Sequence, residues 1–420
     1  MKTKPFFLFI LLSISIICNT SVINAQTSTT NFKEIKGKVV DSKTNKPLIF
    51  TDLVITDSNI STITNSDGEF LLKIPNSLAD ATLTISRLGY DKKQIPISTL
   101  DDNVKIQLLE AITELKEIEI ATFKDAKALL KETLKRKSTA YNNENTLMTA
   151  FYRETIKKRR RNASLSEALV QIHKQPYNSF KKDAIELIKA RKKTDYSKLD
   201  TIAVKLQGGP FSNLYTDIIK YPEYIFTTED IDLYDFSFGA STQINNNMVY
   251  VVNFKQKPNI ITPLYYGKLY IDSKSLALTS AVYSLNVENK ELSSQMYIRK
   301  KPRKVDVYPT EANYRVNYRT QNGKWQYTYS NISLTFKVNW RGKLFNSVYT
   351  LSSEMAITDW EINDTKYVKV RENIIRPTTV LVDEVSGFTD PEFWGEYNII
   401  EPEKSIESAI EKIRKQLKRT

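Results

Sequence analysis

The sequence predicts a mainly β protein with a few helices. An N-terminal seven-stranded β-sandwich is followed by a large antiparallel sheet, a curved half-barrel in its most bent form, with helices packed on it. Three observations predict this. Seven short apolar runs between residues 34 and 110 are separated by turn residues. From Asn247 to Ile357, apolar and polar residues alternate around the dipeptide Asn322-Gly323. Long helical stripes are confined to residues 124–142 and 402–420.

The chain has 420 residues, enough for more than one core. Lys2 and Lys4, the apolar run Phe6 to Ile17, and Ile23-Asn24-Ala25 make a leader pattern over residues 1–25. Residues 26–33 form a short segment after it. The apolar run is too short to span a bilayer. This pattern predicts export, to the periplasm or the periphery of an outer membrane. The single cysteine, Cys18, lies inside the leader. A lipidated Cys18 would follow Ile17, where a small residue is wanted. Conventional cleavage leaves a chain with no thiol chemistry and no disulfide. The formal net charge of +13 favours anionic partners. Export argues against nucleic acid and leaves an envelope protein, a glycan, or anionic lipid. A simple Lys-rich surface is the plainer alternative.

Within the sandwich, the strands begin at Gly37, Pro47, Ile60, Glu69, Ala81, Lys92 and Val104. Asp67-Gly68 reads as a type I′ hairpin turn, because that turn needs positive φ at both central residues. After it, Phe70, Leu72 and Ile74 share one face. Four stretches carry a likeness: Gly37-Lys38-Val39-Val40-Asp41, Pro47-Leu48, Asn65-Ser66-Asp67-Gly68-Glu69-Phe70, and Ile85-Ser86-Arg87-Leu88-Gly89-Tyr90. Together they resemble the carboxypeptidase-regulatory-like domain, a transthyretin-like sandwich, over residues 34–110. Such domains are common in cell-envelope proteins of Bacteroidetes-type bacteria. The resemblance implies an interaction module and transfers no catalytic residue.

A linker over residues 111–123 leads into an α+β domain spanning 124–401. Ala126, Leu129, Leu130, Thr133 and Leu134 form a helical stripe within residues 124–142. Strands follow at 146–157, 164–174 and 185–191, then a Gly208-Gly209-Pro210 turn and a short helix over 213–220. Across Asn322-Gly323, Thr320 pairs with Trp325, Tyr318 with Tyr327, and Val316 with Tyr329. The apolar phase then slips, which predicts a β-bulge at Ser330-Asn331 and restores Tyr314 opposite Ile332. Arg341-Gly342 is the next turn, with Val338 opposite Phe345 and Leu334 opposite Tyr349. Ile406, Ile410, Ile413 and Leu417 stripe a C-terminal amphipathic helix over 402–420. Its acidic start and basic end suit the helix dipole, and it reads as docked on the sheet or lying on a membrane surface.

The chemistry is sparse. His173 is the sole histidine, without the clustered ligands of a zinc site or the elbow of a serine hydrolase. There is no phosphate loop, and the sequence implies no cofactor and no enzyme. Asp217, Glu223, Glu229, Asp230 and Asp232 cluster in sequence, which leaves a carboxylate-dependent hydrolase as the weakest reading. Two candidate binding features remain. By the register above, Tyr314, Tyr318, Tyr327, Tyr329, Phe336 and Trp340 share a face, either as core or as the wall of an apolar, lipid-like ligand site. Arg159, Arg160 and Arg161 form a basic loop tip that could contact an anionic surface, and further basic runs lie at 191–193, 300–304 and 414–419. The function expected is a binding or scaffolding role in the envelope, with an apolar-ligand carrier as the alternative.

Overall fold

A computed structural model describes the chain except for residues 1–30, 112–122, 124, 195–206, 228, 300, 343, 364–372, 385–390, 405, 407 and 409–420. The expected leader with Cys18, most of the expected linker and the expected C-terminal helix beyond its first turn therefore lie outside the described residues. In that first turn, Lys404, Ile406 and Ser408 are helical.

Seven strands build the sandwich: β1 (Phe32–Asp41), β2 (Asp52–Ile55), β3 (Ser61–Ile63), β4 (Glu69–Pro75), β5 (Thr82–Ser86), β6 (Lys93–Pro96) and β7 (Val104–Leu108). One sheet has the order β4-β1-β7 and the other β3-β2-β5-β6. Phe70, Leu72 and Ile74 enter the core between them, with Val39, Leu53 and Ile85. The Asp67-Gly68 turn differs from expectation. Only Gly68 has positive φ, at 74°, and Gly68 N–H donates to Asn65 O at 3.0 Å. The turn therefore carries the chain from one sheet to the other instead of closing a hairpin.

Next come α1 (Ala126–Lys135) and α2 (Lys137–Ala140), in place of one continuous helix. Asp125 caps α1 by accepting from Ala128 N–H at 2.6 Å. Ala126, Leu129, Leu130 and Thr133 are its buried stripe. The strands β8 (Thr146–Lys158), β9 (Arg161–Lys174) and β10 (Ala184–Thr194) follow, then the one-turn helix α3 (Pro210–Leu214). This helix starts at the proline, which is preorganised for a first helical position. The sequence places this helix at 213–220; it starts three residues earlier and ends at Leu214.

The rest of the sheet is β11 (Tyr234–Phe238), β12 (Thr242–Ile244), β13 (Asn247–Gln256), β14 (Tyr265–Asp272) and β15 (Leu278–Leu285); then, after α4 (Lys290–Tyr297), β16 (Val305–Gln321), β17 (Lys324–Trp340), β18 (Ser347–Ile362) and β19 (Ile374–Ile375). Among the described residues this is a twelve-stranded antiparallel sheet, ordered β11-β13-β14-β15-β16-β17-β18-β8-β9-β10-β19, with β12 beside β13. It is mainly β, as the sequence predicts, and is not closed into a barrel.

Asn322 and Gly323 have φ of 49° and 75°, as a type I′ turn requires. Thr320 faces Trp325 and Tyr318 faces Tyr327, and Tyr314 faces Ile332. The bulge falls earlier than expected. Tyr318 pairs with Tyr327 and Asn317 with Tyr329, so Thr328 is the extra residue and Val316 faces Ser330. The β17–β18 loop is also longer, and Val338 faces Ser347 while Leu334 faces Leu351. That shift of two residues keeps each side chain on its predicted face.

Both faces of the sheet are covered. On the inner face, α1, α2 and residues 207–233 pack into a core with Met148, Val170, Val316 and Tyr327. Farther along that face, Tyr297 of α4 joins Leu334, Phe336 and Val338. On the outer face, the sandwich and residues 393–400 pack on Phe151, Leu169, Tyr329 and Ala356.

Candidate functional site

The outer face carries a row of charged and polar side chains under the sandwich. Register places Arg315 opposite Asn331, Asn331 opposite Glu354, Glu354 opposite Arg153, Arg153 opposite Glu167, and Glu167 opposite Arg191. Directly opposed residues on neighbouring strands have Cβ atoms about 5 Å apart, so alternating charge is the favourable arrangement. Arg153 Nε donates to Glu167 Oε1 at 2.8 Å, Nη1 reaches Glu354 Oε1 at 3.2 Å, and Nη2 donates to Ile400 O at 2.8 Å. Arg191 Nε and Nη2 meet Glu167 Oε2 at 2.8 and 2.6 Å. The Arg191 guanidinium also lies 4.8 Å from the Trp394 ring centre.

Burial sets the electrostatics here. It pushes the Glu167 carboxyl up, but Arg153 and Arg191 reverse this and leave it below its ordinary value. Burial lowers Arg153, and Glu167 and Glu354 more than restore it. Glu354 stays raised because burial outweighs its help from Arg153. On the inner face of the same strands, burial lifts Glu154 to about 7, although the Tyr152 hydroxyl donates to it at 2.8 Å.

A cavity of about 140 Å³ lies over this row. Phe50, Asn65 and Ser66 of the sandwich roof it; Arg153, Lys157 and Glu354 are among its floor, and Glu403 and Ile406 close one wall. Lys157 Nζ bonds Glu403 Oε1 at 2.7 Å, and Ser66 Oγ donates to Glu403 as well. Asn65 Nδ2 donates to Glu401 O at 3.1 Å, and Thr62 Oγ1 to Ile399 O at 3.2 Å. Ser61 Oγ reaches Ile357 O at 3.1 Å, and Arg319 Nη1 reaches Asp52 Oδ1 at 3.2 Å. The C-terminal segment is thus laced between sandwich and sheet. The guanidinium of Arg153 spends its three nitrogens on internal partners, which makes it a joint rather than a reacting group.

A second buried cluster sits on the inner face. Lys174 Nζ bonds Asp183 Oδ2 at 2.9 Å and Asp217 Oδ2 at 2.7 Å. Tyr177 and Tyr318 donate to Asp217, each at 3.0 Å, and Tyr221 donates to Asp183 at 2.7 Å. Burial lowers Lys174, and the two aspartates reverse that and hold it above its usual value. Lys220, lowered by burial to about 8, donates to Pro176 O at 2.6 Å and Ser179 O at 2.8 Å. Both aspartates have no exposed side-chain surface. They pin residues 175–183 and 217–221 to the sheet.

The predicted site residues divide. Tyr318 and Tyr327 are core beneath residues 207–233, while Tyr314, Phe336 and Trp340 pack farther along the same face. Tyr329 does not join them. The bulge at Thr328 turns it to the outer face, where its ring lies 5.4 Å from that of Phe50. Arg159, Arg160 and Arg161 are exposed at the β8–β9 tip. Of the sequence cluster of carboxylates, Asp217 is buried with Lys174, Asp232 pairs with Lys127 at 2.7 Å, and Glu223 is exposed. His173 lies 3.5 Å from Glu186. Among the described residues no group of three or more His, Cys, Asp and Glu is placed to hold a metal, and no helix is long and apolar enough to cross a membrane. Sequence reasoning missed the charge row. Charges are scattered along all three strands, so Arg153, Glu167 and Arg191 are not marked out by the sequence and only the strand register brings them together.

Residues 35–120 match the model of the CarboxypepD_reg-like domain, which supports the resemblance seen in the N-terminal sandwich. No curated protein matches the chain. Among solved structures, a DUF1329 family protein from Desulfovibrio piger is 10% identical, with 57% of this chain and 93% of that chain covered, at a TM-score of 0.22. At that score the likeness carries no argument.

Proposed function

We propose that the protein is a non-enzymatic binding or scaffolding protein of the cell envelope, exported by the leader in residues 1–25. The observation that carries this reading is the charge row of the sheet, tied through Arg153 to Ile400 in the segment that is laced between sandwich and sheet. It holds the interaction module at a fixed angle on a sheet whose two faces are both filled. Burying Arg153, Glu167 and Arg191 is costly unless every partner is met, and here the partners come from four strands and the C-terminal segment. Such a joint suits a protein that presents two surfaces in a set geometry. A carrier of an apolar ligand would instead need room over the aromatic face, where residues 207–233 cover Tyr318 and Tyr327 and Tyr297 of α4 packs on Phe336 and Tyr314.

Native mass spectrometry of the chain extracted from its own envelope tests this. A defined protein–protein complex is the expected result. A lipid-sized adduct that survives dilution would overturn it in favour of the carrier.

A further inference from the structure

We propose that one end of the large sheet is a docking site for a bilayer containing anionic lipid. Two basic runs that are far apart in sequence meet there. The β8–β9 tip carries Arg159, Arg160 and Arg161, all exposed. It lies against the β17–β18 loop, since Arg159 N–H donates to Val348 O at 2.8 Å. On the other side of that loop, Arg341 N–H donates to Lys304 O at 3.0 Å, which brings in exposed Arg303 and Lys304. The five strands β16, β17, β18, β8 and β9 set these groups along a rim of about 20 Å, at about 4.8 Å per strand.

Between the two basic groups, Leu344 is 96% exposed and Phe345 79%. A two-residue turn at Arg341-Gly342 would have paired Phe345 with Val338. The loop instead opens and places both side chains at its tip. Of the nearby carboxylates, Asp306 pairs with Lys301 of the same rim at 3.5 Å, and Glu403 pairs with Lys157 at 2.7 Å. An apolar pair flanked by cations fits a membrane interface. The cations meet lipid phosphates, and the apolar side chains enter the acyl boundary. A polyanion such as an acidic glycan would use the cations and leave Leu344 and Phe345 in water. This surface is separate from the sandwich–sheet joint, so its failure would leave the scaffolding reading standing.

Flotation of the purified chain with vesicles tests the proposal. Binding is expected to phosphatidylcholine vesicles containing phosphatidylglycerol, to be weak on phosphatidylcholine alone, and to fall as salt rises. The triple variant R159E/R160E/R161E should lower partitioning by about a hundredfold or more. The variant L344S/F345S should lower it by about tenfold without changing the salt dependence. Circular dichroism and melting confirm that each variant is folded. If the arginine variant does not fold, L344S/F345S decides alone. Unchanged binding by the folded variants overturns the proposal. So does equal binding to neutral vesicles, or an acidic polysaccharide bound as tightly as the vesicles with no effect of L344S/F345S.

Discussion

Replacing Glu167 with Gln keeps the side-chain shape and removes one negative charge from a fully buried position. Arg153 and Arg191 then face an amide that offers one acceptor where a carboxylate offered two. Arg153 keeps Glu354 and Ile400, but Arg191 loses both of its contacts of 2.8 and 2.6 Å to Glu167 Oε2 or gains a donor opposite a donor. Removing one partner of a buried ion pair costs about 3–5 kcal/mol, and with two guanidiniums affected the upper end is expected. At a slope of about 3 kcal/mol per molar urea, the midpoint falls by roughly 1–1.7 M. Trp394, stacked on Arg191, makes fluorescence a local reporter of this transition once Trp325, Trp340 and Trp360 are replaced with Phe.

The pH dependence gives a second, sharper readout of the same variant. Glu167 is lowered by folding from about 4.5, so its contribution is complete above that value and disappears as pH falls through the lower folded one. E167Q should therefore flatten the acid limb of the stability profile. An R153M/E167L/R191M variant should recover only part of the loss, because Glu354 is then left buried without its arginine. A folded E167Q within about 1 kcal/mol of the parent, with an unchanged acid limb, would refute the claim that this row holds the joint.

Three further outcomes are expected. Glu154→Gln should be neutral near pH 4 and stabilising above pH 8. Folding raises Glu154 from 4.5 to about 7, so stability is full below the unfolded value and is lost as pH rises through the folded one, by up to about 3 kcal/mol; urea melts at the two pH values measure it. Lys174→Met should cost about 3–5 kcal/mol, since it leaves Asp183 and Asp217 buried without their cation, and hydrogen exchange should rise in residues 175–183 and 217–221. Gly37→Ala should cost about 1–3 kcal/mol, because a Cβ there would sit 2.5 Å from Val104 O and 2.6 Å from the Phe70 ring. Hydrogen exchange should show that loss confined to the sandwich.

The elements were legible where a strand has one wet face or a turn has one chemistry. The seven sandwich strands, the α1 stripe and the Asn322-Gly323 hairpin all follow from local pattern, because solvent on one side enforces alternation. Residues 207–233 were not legible as the filler of the inner face. They hold one α-helical turn and two short 3-10 turns, too brief for a periodic stripe, and are held by tertiary hydrogen bonds such as Asn213 Nδ2 to Ser330 Oγ at 3.0 Å. The charge row was hidden for the opposite reason. A charge on a strand is ordinarily solvent-facing, and residues 393–400, which come from the far end of the chain, make the face of Arg153 and Glu167 interior.

The bulge shows how this double burial misleads a register argument. Trp325 to Ser330 are all buried, so neither face of β17 is marked by polarity there. Three aromatics spaced two apart, Trp325, Tyr327 and Tyr329, then look like one face, and the slip is assigned after them. In the structure the slip comes at Thr328, and it does something a straight strand cannot. It sends Tyr327 inward, where Tyr177 Oη accepts from its N–H at 2.9 Å, and sends Tyr329 outward to Phe50 and toward Glu354 at 3.3 Å. One inserted residue thereby gives an aromatic anchor to each of the two cores that the sheet separates. A second slip at Thr310 follows the same logic beside Pro309, whose missing N–H would weaken a regular ladder. Such slips let aromatics two apart in sequence serve opposite faces of the sheet; deleting Thr328, the unpaired residue, makes Tyr327 and Tyr329 adjacent and should leave them on opposite faces of a regular ladder, with the sandwich still docked.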